Sequence, residues 1–257
     1  MDDADRVSVR QDARGVAWVT IENAAKLNTL NRAAMAALIA AVERLAEDAA
    51  LRAVVLSGAG TQAFIGGADI GEMAVLDAAS ARDFITLVHR SCDVLRRLPV
   101  PAIACIQGWT LGAGLEVAAA CDLRVAGSAA RFGMPEVRVG VPSVVEAALL
   151  PGLIGWGRTR RLLLTGETID AATALSWGLV EEVVPAAQLN AAVERALAGI
   201  LASGPRAIRL QKRLIGDWET LPLGAAIQRG IDCFVAAWET DEPRGLMQRF
   251  LERQRKR

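Results

Sequence analysis

Short β-rich runs alternate with helix-periodic segments through the first two thirds of the chain, and after about Leu189 the strands stop. Alternation of this kind selects an α/β core with largely parallel strands. Residues 15–21, 52–58 and 101–108 are β-rich and apolar, 123–126 reads as strand, and 131–133 as a short extended piece. Between them, 33–49, 79–98, 115–120 and 142–150 carry helical periodicity, with Pro142 suited to a first turn. Glycine-rich loops are expected over 58–67 and 108–114. One β-like piece follows at 179–184, and helices then fill 189–201, 204–218, 223–238 and 241–253. Trp218, Phe234, Trp238 and Phe250 give this last region a large apolar surface for its size, which must pack on the core or on another subunit. The expected organisation is an α/β core over 1–188 and a helical oligomerisation region over 189–257, in a homo-oligomer.

Composition removes most functional classes. Apolar residues make up 53% of the chain, enough for a sizeable core and too many for disorder. The formal net charge is zero, and the basic run at 253–257 reads as a solvated tail, so a nucleic-acid partner is not expected. The acidic stretch from Met1 to Asp5 is no secretory signal, and no segment nears the roughly 20 apolar residues of a membrane span. Cys92, Cys105, Cys121 and Cys233 lack metal-type spacing and read as reduced core residues of a cytoplasmic protein. There is one histidine, His89, and no tyrosine. Multi-histidine zinc sites are thereby excluded, as is any hydrolase needing more than one imidazole. Phosphate-loop and dinucleotide fingerprints are missing too. Carboxylates and backbone amides are the tools that remain.

Two carboxylates stand out. Glu116 closes Gly112-Ala113-Gly114-Leu115-Glu116, and Glu136 closes Phe132-Gly133-Met134-Pro135-Glu136. Burying a carboxylate among apolar residues demands a raised pKa or a partner. A convergent pair is equipment for moving protons on and off carbon and water. Two strand-to-helix junctions, at Gly66-Gly67-Ala68-Asp69 and at 108–114, would leave free N–H groups pointing outward. Two such donors on one carbonyl oxygen form an oxyanion hole.

These residues resemble a known family. Phe64-Ile65-Gly66-Gly67-Ala68-Asp69-Ile70-Gly71-Glu72-Met73, the block from Pro101 to Asp122, and Phe132-Gly133-Met134-Pro135-Glu136 are similar to signatures of the enoyl-CoA hydratase/isomerase (crotonase) superfamily. The likeness extends over nearly the whole chain. It implies a core of repeated ββα units, a helical trimerisation region whose trimers often pair into hexamers, and an acyl thioester of coenzyme A as substrate. Coenzyme A is then part of the substrate, with no separate cofactor and no metal. The resemblance further implies that the N–H groups of Ala68 and Ala113 hold the thioester oxygen, and that Glu116 and Glu136 are the hydratase carboxylates. Lys26 and Leu27 would line the adenine end of the coenzyme. Asp69 and Ile70 beside the first loop, and Trp109 beside the second, join the substrate-contacting set. Phe234 and Arg253 would be contributed by a neighbouring subunit. Retention of both glutamates points to hydration of a 2-enoyl thioester. A Δ3-Δ2 isomerase or other acyl-CoA enzyme, and an acyl-CoA-binding scaffold without turnover, are the alternatives.

The chain departs from the family pattern at two places. Ala113 replaces a glycine, so its methyl narrows the pocket. After Gly140-Val141-Pro142 the family's glycine-rich stretch is replaced by Ser143-Val144-Val145-Glu146. Ser143 is expected to supply a hydroxyl or a cap, and Glu146 to be a first-turn carboxylate favourable to the helix dipole. Asp69 and Asp122 are read as structural caps, and His89 as a helix-surface or helix-edge residue.

Overall fold

The structure, a computed structural model, describes residues 6–255; the acidic stretch at 1–5 and the last two residues of the basic tail lie outside them. Ten strands run in the order β1 (Val7–Gln11), β2 (Val16–Ile21), β3 (Ala53–Gly58), β4 (Ala63–Ile65), β5 (Ala102–Ile106), β6 (Trp109–Leu111), β7 (Leu123–Gly127), β8 (Arg131–Gly133), β9 (Thr168–Asp170) and β10 (Glu182–Val184). The helices are α1 (Arg32–Ala46), α2 (Ile70–Met73), α3 (Ala78–Arg97), α4 (Ala113–Ala120), α5 (Leu150–Thr165), α6 (Ala171–Trp177), α7 (Leu189–Ala202), α8 (Pro205–Thr220), α9 (Leu223–Ala237) and α10 (Glu242–Arg255).

The large sheet has the order β1-β2-β3-β5-β7-β10, parallel throughout except for the β1–β2 pair. Side chains alternate between its faces with the period of two that a strand imposes. Ala17, Val19, Val54, Leu56, Ala104 and Ile106 point to one face, where α1, α3 and α4 pack. Val16, Ala53, Val55, Ile103 and Cys105 point to the other, which Leu189, Ala192, Val193 and Leu197 of α7 cover. Both faces of the central strands are covered, so β2, β3 and β5 are mostly apolar, as parallel strands buried on both sides must be.

A second, smaller sheet has the order β4-β6-β8-β9, with only β9 antiparallel. Its strands β4 and β6 occupy the stretches expected as glycine-rich loops. Three-residue strands are too short to show periodicity, and glycines conceal them further. The β-like piece at 179–184 contracts to β10. The helix expected at 142–150 is replaced by a short 3-10 turn over Val145–Leu149, and α5 begins only at Leu150, with Pro151 rather than Pro142 in its first turn. The physical reason is Val145, whose φ of 38° is incompatible with a right-handed helix.

All four cysteines are buried free thiols. Among the described residues no helix is long and apolar enough to cross a membrane, and no His/Cys/Asp/Glu group is arranged to hold a metal ion. The C-terminal helices are tied to the core through Lys212 of α8. Its buried Nζ donates to the carbonyls of Leu95 (3.1 Å) and Val100 (2.9 Å) and to Asp122 Oδ2 (2.7 Å). Asp122 also accepts from the Ala102 N–H at 2.7 Å, so it fastens β5 as well. Removing one partner of such a pair leaves the other charge without compensation. Lys212→Ala should therefore cost about 3 kcal/mol of unfolding free energy in a urea titration.

Candidate active site

Strands β4 and β6 are parallel neighbours, so the loops that follow them leave from the same edge of the small sheet. The first loop passes through Gly67, at φ +113°, where a side chain would meet the Leu111 carbonyl oxygen at 3.2 Å. The second turns at Gly112, whose φ of 51° and ψ of −122° suit glycine alone. At Gly114 an added Cβ would lie 2.1 Å from the Ile65 carbonyl oxygen. These glycines let two loop ends approach within backbone contact.

The approach sets two N–H groups on one cavity. Leu30 donates to the Gly67 carbonyl (2.8 Å) and accepts from the Asp69 N–H (3.0 Å), in a parallel bridge opposite Ala68. In such a bridge the facing residue keeps its own N–H on the other side, so that of Ala68 is turned away from Leu30. Ala113 is the first residue of α4, where N–H groups have no acceptor within the helix. The first bonds of that turn come from Leu115 and Glu116, both to the Gly112 carbonyl. Ala68 and Ala113 both line a cavity of about 1210 Å³.

Glu116 and Glu136 line the same cavity. Glu116, in the first turn of α4, is 4% exposed, and its Oε1 accepts from the Ala147 N–H at 3.1 Å. Burial pushes it up to about 8; the nearby Glu136 and Glu146 add to this, and the Ala147 N–H opposes it. Glu136 opens a 3-10 turn over Glu136–Val139. Its Oε1 lies over Gly112, 2.3 Å from where a Cβ would be, and its Oε2 accepts from the Ser143 hydroxyl at 2.7 Å. Ser143 is thus the partner of a site carboxylate rather than a helix cap. Much of the remaining wall is apolar, with Met73, Leu76, Phe84, Ile85 and Val88 from one part of the chain and Val139, Val141 and Val144 from another, and Asp77 and Arg82 also reach it.

The rest of the expected site is divided. Lys26, Asp69 and Ile70 line the cavity, and Lys26 Nζ lies 3.8 Å from Asp69 Oδ2. Asp69 caps α2, accepting from the N–H groups of Gly71 and Glu72. Leu27 is outside the lining, at φ 54°, but its carbonyl accepts from the Gly66 N–H at 2.8 Å and so tethers the first loop. Trp109 is 40% exposed on β6 and does not line the cavity; Leu111, two residues further along the same strand, does. Phe234 on α9 and Arg253 on α10 are exposed and outside their own chain's cavity. Phe234 meets Trp238 edge-on at 6.2 Å.

Two residues have surroundings that the sequence did not show. Glu146 does stand in a first turn, that of the 3-10 turn over Val145–Leu149, but it is 4% exposed, with Oε1 2.8 Å from His89 Nδ1. His89 is on the edge of α3, as expected, with a half-exposed ring whose Nδ1 meets that buried acid. Asn28 was passed over: it is fully buried, and its side chain bonds the Ala59 and Ala63 carbonyls and the Asn23 N–H, fixing the loop before β4. No sequence signal separates it from an ordinary loop asparagine.

A fold of this kind, with paired loop amides and paired acids on one apolar cavity, is that of an acyl-thioester enzyme of the crotonase type. The chain belongs to the enoyl-CoA hydratase/isomerase family, whose pattern matches residues 11–257. It is 33% identical over 241 residues to the short-chain-enoyl-CoA hydratase of Clostridium acetobutylicum, covering 93% of this chain and 92% of that one. It is also 33% identical to the crotonyl-CoA hydratase of Syntrophomonas wolfei, covering 89% and 88%. The crystal structure of an enoyl-CoA hydratase from Bacillus anthracis superposes with a TM-score of 0.92 at 31% identity, covering 96% of each chain.

Two expectations follow from the geometry. Folded Glu116 keeps its proton from its ordinary 4.5 up to about 8, where the unfolded chain has already released it. Stability should therefore decline as pH rises through that window. Urea midpoints measured from pH 4.5 to 8.5 should fall for the natural protein and fall markedly less for Glu116→Gln. Gly112→Ala should cost about 1–3 kcal/mol through its positive φ and drive the Glu136 carboxylate off its position, read by chemical denaturation and by loss of turnover.

Proposed function

We propose that the protein is a 2-enoyl-CoA hydratase, adding water across the C2=C3 bond of an enoyl thioester of coenzyme A. The observation that carries this reading is the meeting of two loop amides and two carboxylates on a single apolar cavity. The N–H groups of Ala68 and Ala113 receive the thioester oxygen, where negative charge builds up as water attacks C3. Removing one such donor typically costs about 3 kcal/mol of transition-state stabilisation.

The carboxylates act as a pair that carries a proton at neutral pH, because Glu116 holds its own up to about 8. Water bound between them gives its oxygen to C3. One proton passes from the pair to C2, and the proton that water gives up restores the count. Glu136, lying over Gly112 next to the oxyanion position, is the principal acid/base and takes the proton that the attacking water gives up. Glu116, which holds its proton, helps to orient the water and supplies the proton to C2. Ser143 holds Oε2 of Glu136 and so fixes which oxygen faces the substrate.

Lys26, Asp69 and Ile70 contact the coenzyme arm, with Leu27 shaping that loop from behind, and the valine and phenylalanine wall takes the acyl chain. Residues 189–257 serve assembly into a trimer or hexamer, which brings Phe234 and Arg253 of one subunit to the coenzyme bound by its neighbour. Exposed apolar side chains on α9 such as Leu223, Ile227 and Phe234 suit that role. Buried free thiols suit a reducing cytoplasm.

Loss of conjugated-enoyl absorbance with crotonyl-CoA tests the activity. The natural protein should hydrate it, and Glu136→Gln should lower kcat by about 10²–10⁴-fold. Undiminished hydration by that variant would end the assignment. Turnover of a 3-enoyl thioester without turnover of crotonyl-CoA would make the protein an isomerase, and tight thioester binding with no turnover would make it a scaffold.

A further inference from the structure

Behind Glu116 lies a buried acid that the hydration steps do not use. Glu146 sits outside the cavity, with one carboxylate oxygen on His89 Nδ1 and the other buried without a hydrogen-bond partner. The next residue, Ala147, donates the N–H that holds Glu116. Both contacts therefore run through a single 3-10 turn. Val145, immediately before it, is held at φ 38°, a conformation that costs a β-branched residue energy and persists only where the surroundings enforce it. The turn is strained, and it points a carboxylate inward at the chain's single histidine.

Few other charges bear on Glu146. From α3 come His89 and, nearly one turn on, Cys92, a thiol kept neutral by burial and by the carboxylates of Glu146 and Glu116. From α4 comes Glu116, with Glu136 beyond it across the cavity. Helix α5 also packs on this turn, but its arginines are engaged elsewhere: Arg158 on the Trp177 carbonyl, Arg161 on Glu167, and Arg160 over the Trp156 ring. Among the described residues, His89 is the basic side chain in hydrogen-bond contact with Glu146.

We propose that Glu146 and His89 are positioning residues that set the proton affinity of Glu116, His89 supplying the charge that compensates Glu146. With His89 protonated, Glu116 has a neutral pair behind it. When the imidazole loses its proton, an uncompensated carboxylate stands there, and Glu116 keeps its own proton to higher pH. The half-exposed ring thereby reports solvent pH to a buried catalytic acid. This rests on the hydratase reading for its consequence in catalysis, but the proton affinity itself is measurable without turnover.

The test is a carboxyl infrared titration of the full-length protein, with the Glu116 band identified by its loss in Glu116→Gln, alongside the pH profile of kcat on crotonyl-CoA. Glu146→Gln should lower the Glu116 midpoint by about one pH unit, because a like charge is removed. His89→Gln keeps a hydrogen-bond donor, loses the compensating charge, and should raise that midpoint; the alkaline limb of kcat should move with it in each variant. The double variant should follow Glu146→Gln. Shifts of opposite sign are not produced by general loosening of the fold. Midpoints that stay put in either single variant, or that move the same way in both, would overturn the proposal. His89→Gln alters a surface ring, so it remains informative if Glu146→Gln does not fold. Failure of the natural protein to hydrate crotonyl-CoA would instead count against the hydratase reading, and the infrared midpoints would still decide the proton coupling.

Discussion

Backbone contact between the ends of β4 and β6 is the constraint on which the site depends. A methyl group at Gly114 would fall 2.1 Å from the Ile65 carbonyl oxygen, and one at Gly67 would press on that of Leu111. Only with hydrogen in those places can the start of α4 settle against β4. That seating fixes where the Ala113 N–H lies relative to that of Ala68, and it puts Glu116 on the inward side of a wholly buried helix. A carboxylate in such a helix loses its water, so its proton affinity rises as a consequence of the packing.

The site also concentrates like charges. Glu116, Glu136 and Glu146 come from three separate segments, and each has a different source of relief. Glu116 accepts a backbone N–H, Glu136 accepts a serine hydroxyl, and Glu146 meets an imidazole. A buried acid without such a partner is costly, so the placement of Ser143 and His89 is part of what makes the cluster tolerable. The strained Val145 belongs to the same compromise, since the turn it occupies delivers both the Ala147 N–H and the Glu146 carboxylate.

The two sheets divide the labour. The large one is a rigid slab filled on both faces, and α7 belongs to that slab although it follows the last strand. The small sheet carries the loops that meet the cavity. Beyond α7, α8 is pinned to β5 through Lys212 and Asp122, while α9 and α10 keep apolar rings such as Phe234 and Phe250 exposed within the single chain. Such a surface suits an assembling protein.

The long apolar strands and amphipathic helices were legible in the chain, because burial on both faces writes itself into composition and helix packing writes itself into period. So were the two misplaced glutamates and the glycines of the loops, since a charge or a missing side chain in an apolar run has few explanations. The strands β4, β6 and β9 were not legible: three residues carry no period, and their pairing is decided by partners distant in sequence. Trp109 was assigned to the site by its neighbours, whereas it stands at the start of β6, outside the cavity that Leu111 at the end of the same strand lines. Glu146 and His89, 57 positions apart, could not be joined by any local rule. What the sequence determined alone was the class of fold and the chemical tools available. Which acid is buried, which oxygen is held and which histidine faces it were decided only when segments remote in the chain were packed together.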